Sequence, residues 1–189
     1  MQSSKIKSIV LASLFAALTC VVTMYPQIPI AATNGYVHMG DTLVLISAWL
    51  LGPVYGSLAA GVGSALADLI SGYAHYVPGT FVIKFLIAFT ASVCFKALSN
   101  VHFNRTLGYT VSGILGELFM VLGYFLYSWL LLGNGAAAAI SSVPSNLGQG
   151  AFGVVAGVLI IRLLVINKTV VSFFPGVANK SGVNEAQPQ

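Results

Sequence analysis

Residues 39–72 read MGDTLVLISAWLLGPVYGSLAAGVGSALADLISG. Two apolar stretches, 39–51 and 54–72, are separated only by Gly52 and Pro53. A proline lacks the amide hydrogen that a helix interior needs but does no harm in a first turn, so this pair closes one helix and opens the next. Four further apolar stretches lie outside this segment, at 8–24, 78–98, 107–132 and 143–166. A membrane-spanning helix needs roughly 20 apolar residues. The stretch 39–51 is short for that length and requires tilt, a start within the preceding loop, or a locally thin bilayer. Over 189 residues the chain is 57% hydrophobic and only 6% charged, which excludes an ordinary soluble domain. The expected fold is an all-α membrane protein, a single bundle of six transmembrane helices over residues 1–168. A short cytoplasmic tail follows at 169–189, polar and rich in turn-forming residues.

The charge pattern orients the bundle. Lys5 and Lys7 precede the first stretch, Lys96 and Arg105 flank the connection between the fourth and fifth, and Arg162, Lys168 and Lys180 end or follow the sixth. The connections 25–38, 73–77 and 133–142 contain no Lys or Arg. The positive-inside rule then puts both termini in the cytoplasm and those three loops outside. Lys84 alone among the basic residues breaks the pattern, so it lies in the membrane for another reason. The net charge of +4 is spread over single residues with no aromatic-interleaved patch, which argues against nucleic acid. Cys20 and Cys94 sit in apolar runs as small buried hydrophobes. The first stretch resembles a signal peptide in charge, but 28–33 offers no small-residue cleavage site, so it reads as a retained span.

Four ionisable groups inside apolar segments, Asp41, Asp68, Lys84 and Glu117, mark function by default, because each is costly at membrane depth without water or a partner. By helical rise Lys84 lies roughly 9 Å inside the outer end of its span. Asp41 and Asp68 belong to the same leaflet, and Glu117 lies nearer the middle on the face of Gly113, Tyr124 and Ser128. Asn146 and Gln149 enter the sixth span from outside. Together with Asn34, Tyr36, His38, Tyr73, His75 and Tyr76 of the outer loops, Asp68, Lys84, Glu117, Tyr124, Asn146 and Gln149 form the expected substrate-binding set around one outward hollow. Plainer readings stand beside this one. Asp68, on the small-residue ridge Gly56, Ala60, Ser64, Asp68, Gly72, also reads as a brace for Lys84. Asp41 reads as an N-terminal cap of its span rather than a ligand contact. Glu117 is protonated, paired with Lys84, or bound to ligand. The tyrosines also suit an interfacial belt, and the two loop histidines supply no third donor for a metal.

No catalytic or nucleotide motif is present. The segment Gly176-Val-Ala-Asn-Lys180-Ser181 lacks the glycine before lysine that a phosphate loop requires. Neither a cofactor nor a metal is implied. In the first span Ser8, Ala12, Ala16 and Cys20 recur every fourth residue, a smooth stripe suited to close helix approach within the bundle or with a partner.

Three segments, Asn34-Gly-Tyr-Val-His-Met-Gly-Asp41, Leu51-Gly-Pro-Val-Tyr-Gly56 and Gly63-Ser-Ala-Leu-Ala-Asp68-Leu-Ile-Ser-Gly72-Tyr, together with Ala12-x-x-x-Ala16, resemble the S components of energy-coupling factor vitamin transporters. The likeness covers about residues 5–168 and is nearest the pyridoxine or hydroxymethylpyrimidine branch. It implies a non-enzymatic, substrate-capturing subunit of the cell membrane. The resemblance further implies a membrane coupling subunit meeting Ala12 and Ala16, two ATPases as separate chains, and a lid over 27–37. Carriers of riboflavin, pantothenate and queuosine precursor share the scaffold. The rivals from other classes are a stand-alone proton-coupled transporter using Asp68, Lys84 and Glu117, and an intramembrane lipid enzyme using His38 and Asp41.

Overall fold

A computed structural model describes residues 2–30, 35–101, 103–167, 169, 173 and 174. Helix α1 (Gln2–Met24) leads into a hairpin of two short antiparallel strands, β1 (Ile28–Ile30) and β2 (Gly35–Val37), with Pro29 opposite Tyr36. Helices α2 (Asp41–Ile70), α3 (Val77–Asn100) and α4 (Arg105–Leu126) follow, then a π-helical turn at Tyr127–Leu131, the short α5 (Ala136–Ser141) and α6 (Val143–Leu164). Among the described residues five helical segments are long and apolar enough to cross a membrane: Lys5–Met24, Asp41–Ile70, Val77–Asn100, Arg105–Leu131 and Ala136–Leu164. The expected stretches 39–51 and 54–72 fall together on α2. Gly52 interrupts that helix at φ 82° and ψ −178°, a combination open essentially to glycine alone. Nine residues of unbroken helix separate two atoms by roughly 14 Å. Here the Ser47 hydroxyl donates to the Gly56 carbonyl at 3.1 Å, and a Cβ on Gly56 would lie 2.9 Å from the Ala48 Cα. The chain therefore folds back at Gly52-Pro53 into two arms, 41–51 and 53–70, as the sequence of that junction predicts.

Small residues let the helices approach, which is how bundles associate when lipid is as apolar as a leucine side chain. On the second arm Gly56, Ala60, Ser64 and Asp68 are all buried, and Gly63 packs against the Ala16 carbonyl and Thr19 of α1. The stripe on α1 is thus used within the bundle, with Ser8 and Cys20 buried and Ala12 and Ala16 half-buried against the core. Trp49 fills the centre, donating from its indole to Ser112 Oγ at 3.1 Å and lying against Gly113 and Gly157. Tyr109 continues that aromatic stack onto Phe95, with ring centroids 4.2 Å apart. Leu14, Leu118, Leu122, Val155 and Leu159 point outward from α1, α4 and α6.

One end of the bundle collects the basic residues. Arg162 near the end of α6 bonds to Thr106 at the start of α4. Lys7 at the start of α1 lies over the ring of Phe173, 4.6 Å from its centroid. The opposite end carries the β-hairpin, the α2–α3 turn, the π-turn and α5.

Candidate functional site

Asp68 reaches the hairpin end on the last turn of α2, where β2 lies above it. Its Oδ1 accepts a hydrogen bond from the Tyr36 hydroxyl at 2.7 Å, and its Oδ2 is buried and accepts no hydrogen bond of full geometry among the described residues, with the Thr80 hydroxyl beside the carboxylate. Burial, then the neighbouring Asp68 charge, raises the pKa of the Tyr36 hydroxyl, so it remains a donor. Around this carboxylate lies a hollow of about 480 Å³, part of it open to the exterior. Its walls are Ile30, Tyr36, His38, Asp68, Tyr76, Thr80, Tyr124, Ser128, Ser142, Asn146 and Gln149. Aromatic faces thus surround a few convergent polar atoms, the usual make-up of a small-molecule site. The Tyr124 hydroxyl donates to Thr80 Oγ1 at 3.1 Å, which fixes one wall. On the rim, the Tyr73 ring packs on Tyr36 at 4.6 Å, and Gln27 donates to Ser71 Oγ at 3.0 Å, pinning the hairpin to the end of α2.

Beneath the hollow lies a buried polar chain. The His38 peptide N–H donates to Gln149 Oε1 at 2.7 Å, and Gln149 Nε2 donates to Asp41 Oδ2 at 2.7 Å. Asp41 Oδ1 is paired with the Lys84 ammonium, which is fully buried and also reaches Met120 Sδ at 3.3 Å. A Cβ on Gly153 would lie 2.9 Å from the Asp41 Cβ, so that glycine makes room for the pair. Two expectations are corrected here. Asp41 does not cap its helix with its side chain, because Gly40 holds the cap position and the carboxylate turns inward to Lys84. Nor does Asp68 brace Lys84, since Asp41 holds that ammonium and Asp68 instead meets Tyr36. The shortness of the arm 41–51 has the same cause: its first residue sits level with the second turn of α3 rather than at the bundle end.

His38 is a neutral wall. Its Nδ1 accepts from the Gly40 N–H at 2.9 Å, and burial, reinforced by the Lys84 charge against the opposing effect of Asp41, pushes its pKa down to about 3. The free imidazole titrates near 6.5. Between those values the unfolded chain binds the extra proton, so this residue's contribution to stability falls as pH drops below about 6.5 and is constant above it. Thermal unfolding of wild type and His38→Gln should therefore differ by a constant from pH 8 to about 6.5, with wild type losing ground at lower pH. A difference that stays constant down to pH 4.5 would contradict a neutral His38.

Of the predicted set, Tyr36, His38, Asp68, Tyr76, Tyr124, Asn146 and Gln149 line the hollow. Lys84 lies under its floor, 5.5 Å from the Tyr124 centroid. Tyr73 and His75 stack on Tyr36 and Tyr76 at the rim. Glu117 faces a different space, between α4 and α6, and Asn34 lies outside the described residues. Ile30, Thr80, Ser142 and Ser128, the last on the helical face of Tyr124, complete the walls. Thr80 was within reach, since it falls one turn from both Tyr76 and Lys84 on one helical face. Among the described residues no group of three His, Cys, Asp or Glu is placed to hold a metal.

Comparison with known proteins agrees with this architecture. Residues 3–166 match the family model of the ECF-type riboflavin transporter S component. A protein of Pyrococcus woesei, described only as an uncharacterized protein in gap 3′region, is 39% identical over 137 residues, covering 72% of this chain and 87% of that protein. Two solved structures share the fold at 18% identity. One, the S component of a bacterial ECF transporter, aligns over 86% of this chain and 97% of its own with a TM-score of 0.63. The other, the S-component for biotin from an ECF-type ABC transporter, aligns over 88% and 95% with a TM-score of 0.66. With its apolar helices and a family match over most of its length, this chain is an integral membrane protein belonging to the ECF-type S components, substrate-binding and non-catalytic subunits whose ATPases are separate chains.

Proposed function

We propose that this chain is the capture subunit of an ATP-driven importer in the cell membrane, and that its hollow takes a small, flat, hydroxyl-bearing B-vitamin or precursor of the pyridoxine or hydroxymethylpyrimidine kind. The carrying observation is the Asp68 carboxylate, bonded to the Tyr36 hydroxyl and flanked by Thr80, in the wall of an aromatic-lined hollow. A carboxylate is a strong acceptor for a ligand O–H or N–H, while tyrosine faces stack on a flat ring. Riboflavin, pantothenate and queuosine precursor are the alternatives within the same scaffold.

The reversal at Gly52 supports six crossings, and the meeting of Lys7 with Phe173 at the basic end supports two termini on one side, the cytoplasm by the positive-inside rule. The hollow then opens outward. Delivery requires docking to a membrane coupling subunit carrying two ATPases. Ala12 and Ala16 would meet that subunit only along the edge of their stripe, since its centre packs on α2. The stand-alone proton relay loses support because Lys84 is held by Asp41 rather than by Asp68 or Glu117.

Protein purified from cells should carry a small molecule identifiable by mass spectrometry, and titration with a B-vitamin panel should give a dissociation constant of roughly micromolar or tighter for one member. No copurifying molecule and no binding across the panel would end this reading.

A further inference from the structure

The hollow at the hairpin end carries a carboxyl group in its wall, Asp68, and no Lys or Arg among the described residues. The connections at that end, 25–38, 73–77 and 133–142, contain neither residue type. Lys84 beneath the floor is fully buried and committed to Asp41, so its charge is already answered. His75 stands exposed at the rim, stacked on Tyr76, where solvent and salt screen it. His38 in the wall is neutral, and because its Nδ1 accepts from the Gly40 N–H at 2.9 Å, the ring proton belongs on Nε2, a donor without positive charge. Helices α3 and α6 both begin at the hollow, and helix starts attract anions through their open amides. Each has lost one such amide to a proline in its first turn, Pro78 and Pro144. The peptide N–H groups of Tyr76, Thr80, Ser142 and Asn146, which line the hollow at these two starts, are all bonded to backbone carbonyls.

We infer that the hollow selects its ligand by charge, admitting an uncharged or cationic ring and rejecting the same ring bearing a carboxylate, with Asp68 as the residue that sets the sign. The inference rests on the vitamin-capture reading and narrows it. A ligand carboxylate entering here gives up water, meets no counterion and shares the site with Asp68, and like charges brought together in that way oppose binding. An uncharged ring needs only what the walls supply, the Asp68 acceptor, the neutral His38 donor and the Asn146 amide. Among the alternatives on this scaffold, pantothenate carries a carboxylate and is disfavoured, whereas pyridoxine, hydroxymethylpyrimidine and riboflavin carry none.

The test is calorimetric titration of the full chain in lipid nanodiscs, freed of copurified ligand, with matched pairs that differ in one group: pyridoxine and pyridoxic acid, hydroxymethylpyrimidine and the corresponding pyrimidine carboxylic acid, riboflavin and carboxymethylflavin, pantothenol and pantothenate. At about pH 7 every acid is ionised. In whichever pair binds, the uncharged member should bind about 100-fold tighter or more. Asp68→Asn, which removes the charge and keeps the size, should cut that preference to about a tenth. Ile30→Lys, which adds a cation at a half-buried wall position on β1, should cut it by a similar factor, mainly by strengthening the acid, while the uncharged Ile30→Met should leave it unchanged. An acid that binds within about threefold of its partner, or better than it, overturns selection by charge and leaves vitamin capture standing. A preference that survives both Asp68→Asn and Ile30→Lys is steric and overturns it equally. Failure of every pair to bind ends the capture reading, and this inference with it.

Discussion

Lys84→Met should cost the protein about 3 to 5 kcal/mol of stability, whereas the double variant Asp41→Asn, Lys84→Met should recover most of that loss. The reason lies in what each change leaves behind. Removing Lys84 alone strands the Asp41 carboxylate in a fully buried site, with the Gln149 amide as its remaining hydrogen-bond partner. Removing the carboxylate charge as well leaves an amide that still accepts from Gln149 and no uncompensated charge. The single Asp41→Asn variant should suffer comparably to Lys84→Met, because the ammonium then keeps only the weak acceptor Met120 Sδ. Unfolding in detergent, followed by circular dichroism against added denaturing detergent, reads all four proteins. Additive losses in the double variant would contradict the pairing of Asp41 with Lys84. The same pair orients Gln149, which both lines the hollow and holds the His38 peptide, so the pair links bundle stability to the shape of the site.

That linkage also marks how far the sequence could be read. Gly52-Pro53 announces a break in any helical register, and the fold-back there follows from it. The ridge of small residues up to Asp68 has a four-residue period and is buried as the period requires. The choice of counterion for Lys84 was not legible. Asp41 and Asp68 both sit in the right leaflet, and which of them meets the lysine depends on how deeply the arm 41–51 starts, a consequence of the hairpin ahead of it rather than of helical rise. Strands of three residues such as β1 and β2 carry too few positions for an alternating pattern. The place of Glu117 relative to the hollow is not legible for a related reason. Its face is shared with Tyr124 and Ser128 by spacing, but α6 crosses α4 so that Asn146 stands between them and the space that Glu117 faces. Spacing along one helix fixes a face, not the neighbour that covers it.

Asp68→Ala should weaken binding of the vitamin identified from the panel about 100-fold, and Tyr36→Phe about tenfold. Hydrogen bonds to a charged group contribute roughly 1.5–3 kcal/mol, and 1.4 kcal/mol is a factor of ten in affinity. Asp68→Ala removes the carboxylate acceptor together with the anchor that holds the Tyr36 ring in the wall. Tyr36→Phe keeps the ring and the carboxylate and loses only the anchor. Isothermal titration at pH 7 separates the two, and the unfolding assay supplies the control. Asp68 meets the neutral hydroxyls of Tyr36 and Thr80 and has no ion pair among the described residues, so its loss should disturb stability far less than that of Lys84, and near-normal unfolding separates a binding defect from misfolding. Should Asp68→Ala bind within threefold of wild type while Gln149→Ala or Asn146→Ala loses the ligand, the recognition centre would lie on α6. A large loss at Asp68 with near-normal stability would instead fix the polar end of the ligand between α2 and β2, beside the strand that closes over it.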